Sequence, residues 1–237
     1  MDLFSELVDA VQSDLNIDDN SSQFPLATVE LAINRAYIKS GGLFRWPELE
    51  DAKKTSTENG QEYYDYPDTW RPDSVWKLVV DSVRYGEDPD GSPIAYDDYL
   101  NWREDYPDST DKRWANQWRR YFFHPTPTTD GSNNIVVWGQ MNVTTLTNDA
   151  DITIWSYSMP ECNDAVVLEA GAILKAKGED DRGSQFKSAE AKGILIMSWS
   201  KIKQDQAKYK KVQPFFKVDD LFSGKSNLRE QVTGNFD

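Results

Sequence analysis

The sequence has very little of the two residue types from which catalytic and metal centres are most often built. Its 237 residues include one cysteine, Cys162, and one histidine, His124. A single cysteine excludes an intrachain disulfide and a zinc site made of several thiolates. A single histidine excludes a multi-histidine metal centre within one chain. We therefore expect neither a metal nor a cofactor.

Long apolar runs and phosphate-binding loops are also missing. No run approaches the roughly 20 apolar residues that span a bilayer, and the mean hydropathy is -0.70. The N-terminal residues lack the basic and apolar regions of a secretory signal. The patterns GxGxxG, GxxxxGKS/T and GxSxG do not occur, which excludes the common phosphate loops and the nucleophile elbow of serine hydrolases.

The lone histidine and the lone cysteine are the first candidates for nucleophilic or acid–base chemistry. His124 is followed at once by Pro125 at the end of a predicted strand, and Cys162 lies at the start of a predicted helix. A helix start lowers a thiol pKa, but no second histidine is there to act as a base. We interpret both residues as structural, and the sequence predicts no enzyme.

Acidic residues outnumber basic residues by 40 to 26, so the net charge is -14. Residues 1–34 carry seven acids and no base, whereas residues 175–211 carry ten bases and five acids. The pattern has two interpretations: several solvated faces, or an acidic surface that meets a basic one on a neighbouring copy.

A lysine-rich stretch covers residues 201–217, with six lysines and one aspartate. It could bind nucleic acid, or it could be a cluster of cations at a helix C-terminus, where the helix dipole favours them. We favour the helix-end cluster. In a ring of copies, the same lysines could also face the lumen.

Apolar residues at helical spacing predict two helices near the N-terminus. The first covers residues 3–15, and the second starts near Pro25 and ends at Gly41 and Gly42. The second helix carries one apolar stripe, formed by Leu26, Val29, Ile33, Ala36 and Tyr37.

From about residue 55 to residue 158, short runs of β-branched and aromatic residues alternate with turn residues, which predicts an antiparallel sheet structure. We expect strands at residues 75–85, 121–123, 135–138 and 152–157, a hairpin loop at 128–134 and a short helix at 96–104.

Helical periodicity returns after Pro160, with a break near residue 179 and a long helix from about residue 183 to residue 211. This long helix has two apolar faces, and a helix that is apolar on two sides needs two partners. One face carries Phe186, Ala189, Gly193, Ile196 and Met197, and the other carries Ala191, Leu195, Trp199 and Ile202. We predict that Leu195, Trp199 and Ile202 contact a neighbouring subunit.

The chain ends in a polar segment that still holds four large apolar residues, Phe215, Phe216, Leu221 and Phe222. Such a segment cannot build its own core, so we expect a partner to receive it. The predicted fold class is α+β. N- and C-terminal helices form a bundle, and an antiparallel β sandwich or barrel-like domain is inserted between them. The predicted boundaries are residues 1–54, 55–158, 159–211 and, for the extended tail, 212–237.

Four stretches in this order resemble the head-to-tail adaptor (connector, or head-completion) proteins of tailed bacteriophages. The chain is most similar to the larger adaptors related to tail tubular protein A of short-tailed phages. The stretches are the helix VELAINRAY followed by RWP, the aromatic strand YFFHPTP, the run IVVWG opposite it, and MPE opening a helix that is followed by a lysine-rich helix.

The resemblance implies a structural virion protein of the neck or tail, assembled in the host cytoplasm. It implies a ring, commonly a dodecamer, through which genomic DNA passes without specific binding. The helices would meet the portal protein and neighbouring copies, the β domain would meet the next tail component (a nozzle or tail-tube protein), and the tail would dock on the portal. No catalytic residues belong to this family.

Two other interpretations stay open at this point. The chain could be another virion part, such as a tail or baseplate component. It could also be a non-catalytic carbohydrate-binding β domain, because exposed Trp and Tyr side chains can line a sugar groove.

Overall fold

The computed structural model describes residues 3–17, 23–86 and 91–207, and these residues form an α+β fold, as predicted. The described α-helices are α1 (Phe4–Leu15), α2 (Leu26–Leu43), α3 (Tyr96–Asp105), α4 (Glu161–Lys177) and α5 (Asp181–Ala207). The described strands are β1 (Glu50–Thr55), β2 (Tyr63–Asp65), β3 (Lys77–Val80), β4 (Val83–Arg84), β5 (Arg113–Gln117), β6 (Arg120–His124) and β7 (Ile135–Gln140).

The described residues divide into two compact units. The helical unit combines the described parts of residues 1–48 and 143–237, and the β unit is residues 49–142. These limits differ from the expected inserted domain of residues 55–158, because β1 already begins at Glu50 and the chain re-enters the helical unit at Val143.

In the helical unit, α4 is the central helix and packs against α1, α2 and α5. Alanine and glycine on α4 let its neighbours approach closely. A Cβ at Gly171 would stand 3.1 Å from the Asp14 carboxylate of α1 and 3.3 Å from Lys187 of α5. The N- and C-terminal helices therefore form one bundle, as the fold-class prediction stated.

Helix α2 continues through the glycine pair that was expected to end it. Its last residue is Leu43. Gly41 is buried, and a Cβ there would stand 2.3 Å from Cγ2 of Val143. This glycine therefore serves close packing rather than helix termination. Leu26, which was placed in the apolar stripe with Val29 and Ile33, is 45% exposed, whereas Val29 and Ile33 are buried.

The β unit is a sandwich of two antiparallel sheets. One sheet has the strand order β1-β7-β3-β4, and the other has the order β2-β6-β5. Both contribute to one aromatic core, with Leu78 and Val137 from the first sheet and Trp114 and Phe123 from the second. Buried and less buried residues alternate along β3 and β6 and over most of β7, which is the packing that two-layer β domains require.

Two expectations for the β region were wrong in detail. Residues 75–85 are not one strand, because Asp81 and Ser82 both adopt positive φ and turn the chain into the β3–β4 hairpin. Residues 128–134 are not a hairpin loop. They connect β6 to β7, which lies in the other sheet, and prolines near the end of β6 lack the N–H groups that would extend its ladder.

The strand expected at residues 152–157 is a turn in the helical unit. Ile152 forms only an isolated bridge with Leu3, and the backbone N–H of Ser156 donates to the Thr153 carbonyl at 3.3 Å. Threonine and serine hydroxyls favour such local bonds over a ladder. Trp155 is fully buried, with its ring centroid 5.6 Å from Tyr37 and 5.1 Å from Trp46.

Candidate subunit and partner interfaces

The face of α5 that was predicted to meet a neighbouring subunit lies in the chain's own core. Leu195 is 1% exposed and Trp199 is 3% exposed, while Ile202 is partly exposed. The Trp199 ring stacks on Phe44 at 5.5 Å with an interplanar angle of 14°. It also meets the Trp46 ring at 5.8 Å. This corrects the expectation for Leu195 and Trp199, because both side chains already have partners inside the helical unit.

The opposite face of α5 is exposed, and we call it the α5 outer face. It consists of the exposed residues Phe186, Ala189, Glu190 and Met197 and the half-buried Gly193. Phe186 is 71% exposed and Met197 is 61% exposed, and a Cβ at Gly193 would meet no atom within 4 Å. Large apolar side chains standing in water next to small residues are typical of a surface that a partner covers.

A second exposed stripe, apolar except for one arginine, lies on α2, and we call it the α2 outer face. It consists of Ala27, Leu31, Arg35 and Ile38, with Leu31 51% exposed and Ile38 44% exposed. This face was not predicted from the sequence. The spacing of Leu31 and Ile38, seven residues apart, could have revealed it, because that spacing returns to the same side of a helix.

Several charges of the helical unit are paired within the chain. Glu169 of α4 is buried, accepts a hydrogen bond from Ser188 Oγ at 2.8 Å and forms an ion pair with Lys39. Lys187 pairs with Asp14 at 2.6 Å. Part of the basic C-terminal helix is therefore neutralised by acids of the same chain.

Lys201, at the start of the lysine-rich stretch, pairs with an acid of another helix, and the last described turn of α5 carries no base. The Lys201 Nζ lies 2.8 Å from Oε1 of Glu161, at the N-terminus of α4. The hydrogen bond from Lys201 lowers the pKa of the Glu161 carboxyl. Beyond Ala207, the rest of this stretch lies outside the described residues.

Cys162 and His124 both occupy structural positions. Cys162 is buried in the helical unit, and burial raises the pKa of its thiol to about 11, although a hydrogen bond with Ser198 opposes the shift. His124 belongs to the β unit, where its Nε2 lies 2.8 Å from the Ser109 carbonyl oxygen and its ring meets the edge of Trp102.

The tip of the β5–β6 hairpin is the most exposed aromatic site of the β unit. Trp118 is 74% exposed and has a φ of 56°. It occupies the first position of a two-residue loop, because Gln117 pairs with Arg120. Positive φ at this position favours glycine, so a tryptophan here carries backbone strain.

Hydrogen bonds hold the backbone of this strained loop in place. The backbone N–H of Asp73 donates to the Trp118 carbonyl at 2.7 Å. The Arg119 guanidinium donates to the carbonyls of Pro67 and Trp70 at 3.1 Å and 3.3 Å. Burial raises the pKa of the Asp73 carboxyl, although a hydrogen bond with the Trp118 backbone opposes the shift. The indole is therefore presented on a fixed support, which lowers the entropy cost of binding a partner.

The four apolar residues of the C-terminal tail, Phe215, Phe216, Leu221 and Phe222, lie outside the described residues. Within the described ranges, no group of three His, Cys, Asp or Glu side chains is placed to hold a metal ion. No helix in those ranges has both the length and the hydropathy that crossing a membrane requires.

Comparison with known families gives a match across most of the chain. The family model described as SU10 adaptor protein matches residues 2–209. The matched region includes both units and every described helix and strand. No curated protein matches the sequence.

Proposed function

The chain belongs to the SU10 adaptor protein family, which makes it a structural adaptor protein of phages, and we propose on that premise that it is the head-to-tail adaptor of a tailed phage. In this proposal, copies of the chain form a dodecameric ring between the portal and the tail, and genomic DNA passes through the lumen. The match over residues 2–209 is the observation that carries the proposal.

In this proposal, the two units contact different partners. The helical unit meets neighbouring copies and the portal protein, and the β unit meets the next tail component, a nozzle or tail-tube protein. The exposed and firmly supported Trp118 supports a protein contact at the β unit, because buried tryptophans are frequent binding anchors at interfaces. The tail residues Phe215, Phe216, Leu221 and Phe222 are proposed to dock on the portal.

A non-enzymatic role fits the chemistry of the two candidate reactive residues. The Cys162 thiol is buried with a raised pKa, and the His124 imidazole is engaged with a backbone carbonyl. A net charge of -14 supports passage of DNA without tight binding, since like charges repel.

Negative-stain microscopy of the purified protein, alone and mixed with portal rings, tests the proposal. We expect portal rings that carry an additional closed ring of this chain on one end. Portal rings that stay bare, together with binding to an isolated tail or baseplate component, would instead favour another position in the tail. Binding only to an oligosaccharide array would favour the carbohydrate-binding alternative.

A further inference from the structure

We propose that adjacent copies meet through the α2 outer face of one copy and the α5 outer face of the next. This inference rests on the proposed function, because a ring requires a repeated contact between copies. It assigns that contact to Leu31, Arg35 and Ile38 on one side and to Phe186, Glu190 and Met197 on the other. All of these residues belong to the helical unit.

Both outer faces expose apolar area. Leu31 and Ile38 on α2, and Phe186 and Met197 on α5, are each more than two-fifths exposed, whereas the inward faces of the same helices are buried. Each exposed pair lies along one side of its helix, at separations of seven and eleven residues. Both spacings keep the two side chains on one stripe, so each helix offers two exposed apolar side chains on one side.

The two outer faces also differ in shape. Between Phe186 and Met197, the α5 outer face carries the small residues Ala189 and Gly193, and a Cβ at Gly193 would stand in open space. On α2 the large residues Leu31 and Ile38 lie on either side of Arg35. Large side chains of one helix fit beside small residues of another, because helices pack by inserting ridges into grooves.

The charges on the two outer faces select a second copy as the partner. Arg35 lies between Leu31 and Ile38, and Glu190 lies between Phe186 and Gly193. Both side chains are exposed, and neither forms an ion pair within the described residues. Arg182 and Lys201 flank the α5 outer face at its ends, and Lys201 is already paired with Glu161.

An unpaired base at the centre of one apolar strip and an unpaired acid at the centre of the other are complementary across an interface. Placing them together would neutralise both charges as water leaves. An α2-to-α2 or α5-to-α5 contact would instead bring like charges together. The α2-to-α5 contact is therefore heterologous and leaves one free strip at each end of a row of copies. Such a row ends only when a ring closes.

The test is a charge-reversal cycle on the full chain, assembled on portal rings. The variants are Arg35→Glu, Glu190→Arg and the two combined, and Lys192→Glu is the matched control. Lys192 is an exposed base on α5 outside the outer face. Negative-stain microscopy counts closed adaptor rings per portal, and sedimentation velocity measures the bound mass.

We expect each single reversal to reduce closed rings by about tenfold or more, because the like-charge contact recurs at every interface. The combined variant should restore rings to near the wild-type level, and Lys192→Glu should assemble normally. Circular dichroism should be unchanged in all four variants. A bulky Gly193→Phe variant should also fold normally and fail to close rings.

The outcomes separate this inference from the proposed function. Wild-type protein that binds no portal would contradict the proposed function itself. Wild-type rings together with normal rings from both single reversals would overturn the α2-to-α5 contact. A combined variant that fails like the single variants would also overturn it, because the two charges would then face other groups.

Discussion

At the scale of single residues, Trp118 has a backbone conformation that lowers the stability of the folded protein. A left-handed backbone costs a non-glycine residue about 1–2 kcal/mol, and the exposed indole of Trp118 recovers little of that by burial. Strain held in place by firm support often marks a functional position. Trp118 therefore has features of a binding anchor on the β unit.

We predict that Trp118→Gly keeps or raises the thermal stability of the protein, because glycine adopts positive φ without strain. The same change should weaken binding to the next tail component by about tenfold or more, since an anchor tryptophan is lost. Differential scanning calorimetry and a pull-down titration measure the two effects. Full binding by the glycine variant would remove Trp118 from the interface, and Tyr106→Ala, at another exposed aromatic, is the control.

Cys162 gives a prediction about reactivity and pH. Burial raises its thiol pKa to about 11, so almost no thiolate exists at neutral pH in the folded protein. Iodoacetamide should therefore alkylate Cys162 slowly in the native protein and rapidly in denaturant, as measured by intact mass. Prompt alkylation of the folded protein would contradict the buried position.

The raised pKa of the Cys162 thiol also determines how the stability of the protein changes at alkaline pH. The native state holds the thiol proton more tightly than the unfolded state, so unfolding releases protons above the ordinary thiol pKa. The stability that this neutral thiol provides is fully present below that pKa and is lost as the pH rises toward about 11. In the Cys162→Ser variant, this part of the stability loss at alkaline pH should be absent.

At the scale of elements, the sequence predicted that α5 has two apolar faces but assigned them in reverse. Periodicity reports which residues share a face, and it contains no information about which face the rest of the chain covers. That choice depends on Phe44 and Trp46, which lie far away in sequence and pack on Trp199. The partner of a helix face is a tertiary property.

A pair of alanine variants on this one helix separates the two faces. We expect Trp199→Ala to lower the free energy of unfolding by about 3–5 kcal/mol, because it leaves a cavity in the bundle core. Phe186→Ala, on the outer face, should change it by about 0.5 kcal/mol or less. Urea titrations followed by circular dichroism measure both.

The variant Trp199→Phe refines the test. The Trp199 indole N–H has no hydrogen-bond partner among the described residues, so phenylalanine removes volume without orphaning an acceptor. Its cost should be well below that of the alanine variant. Equal, small effects for Trp199→Ala and Phe186→Ala would contradict the burial of Trp199 in the bundle.

Among the strands, the sequence predicted the local runs better than their pairing. The apolar and aromatic residues of β6 and β7 indicate strands because alternation is a local signal. Their assignment to different sheets is not local, because β7 pairs with β1 and β3 from the first half of the unit. For the same reason, the alternation around Trp155 was taken for a strand although it is a turn.

At the scale of the whole molecule, the α+β class and the order of helices, β block and helices were predictable. Each depends on where the period changes from 3.6 to 2 and back. The α2 outer face and the Trp118 tip were not predicted. Both depend on apolar side chains that are exposed among the described residues, and a single sequence does not state which apolar residues stay exposed.

The C-terminal tail gives the last prediction, which concerns docking on the portal. Deleting residues 213–237 removes Phe215, Phe216, Leu221 and Phe222. Each of these side chains gains about 1.5–3 kcal/mol when it is buried. Because the residues around them are polar, we propose that a groove on the portal buries them. Truncation should therefore abolish co-sedimentation with portal rings while the melting temperature stays nearly unchanged.

A full-length variant with serine at these four positions tests the apolar side chains alone, because it keeps the length and the charges of the tail. It should lose portal binding as the truncation does, since the apolar side chains rather than the backbone carry the affinity. A truncated protein that melts much lower would instead assign the tail to the core of the free chain. Truncated protein that binds portal rings at full strength would place the docking surface on the helices. Helix α1 would then be the first helix to test, because its exposed acids include Asp9.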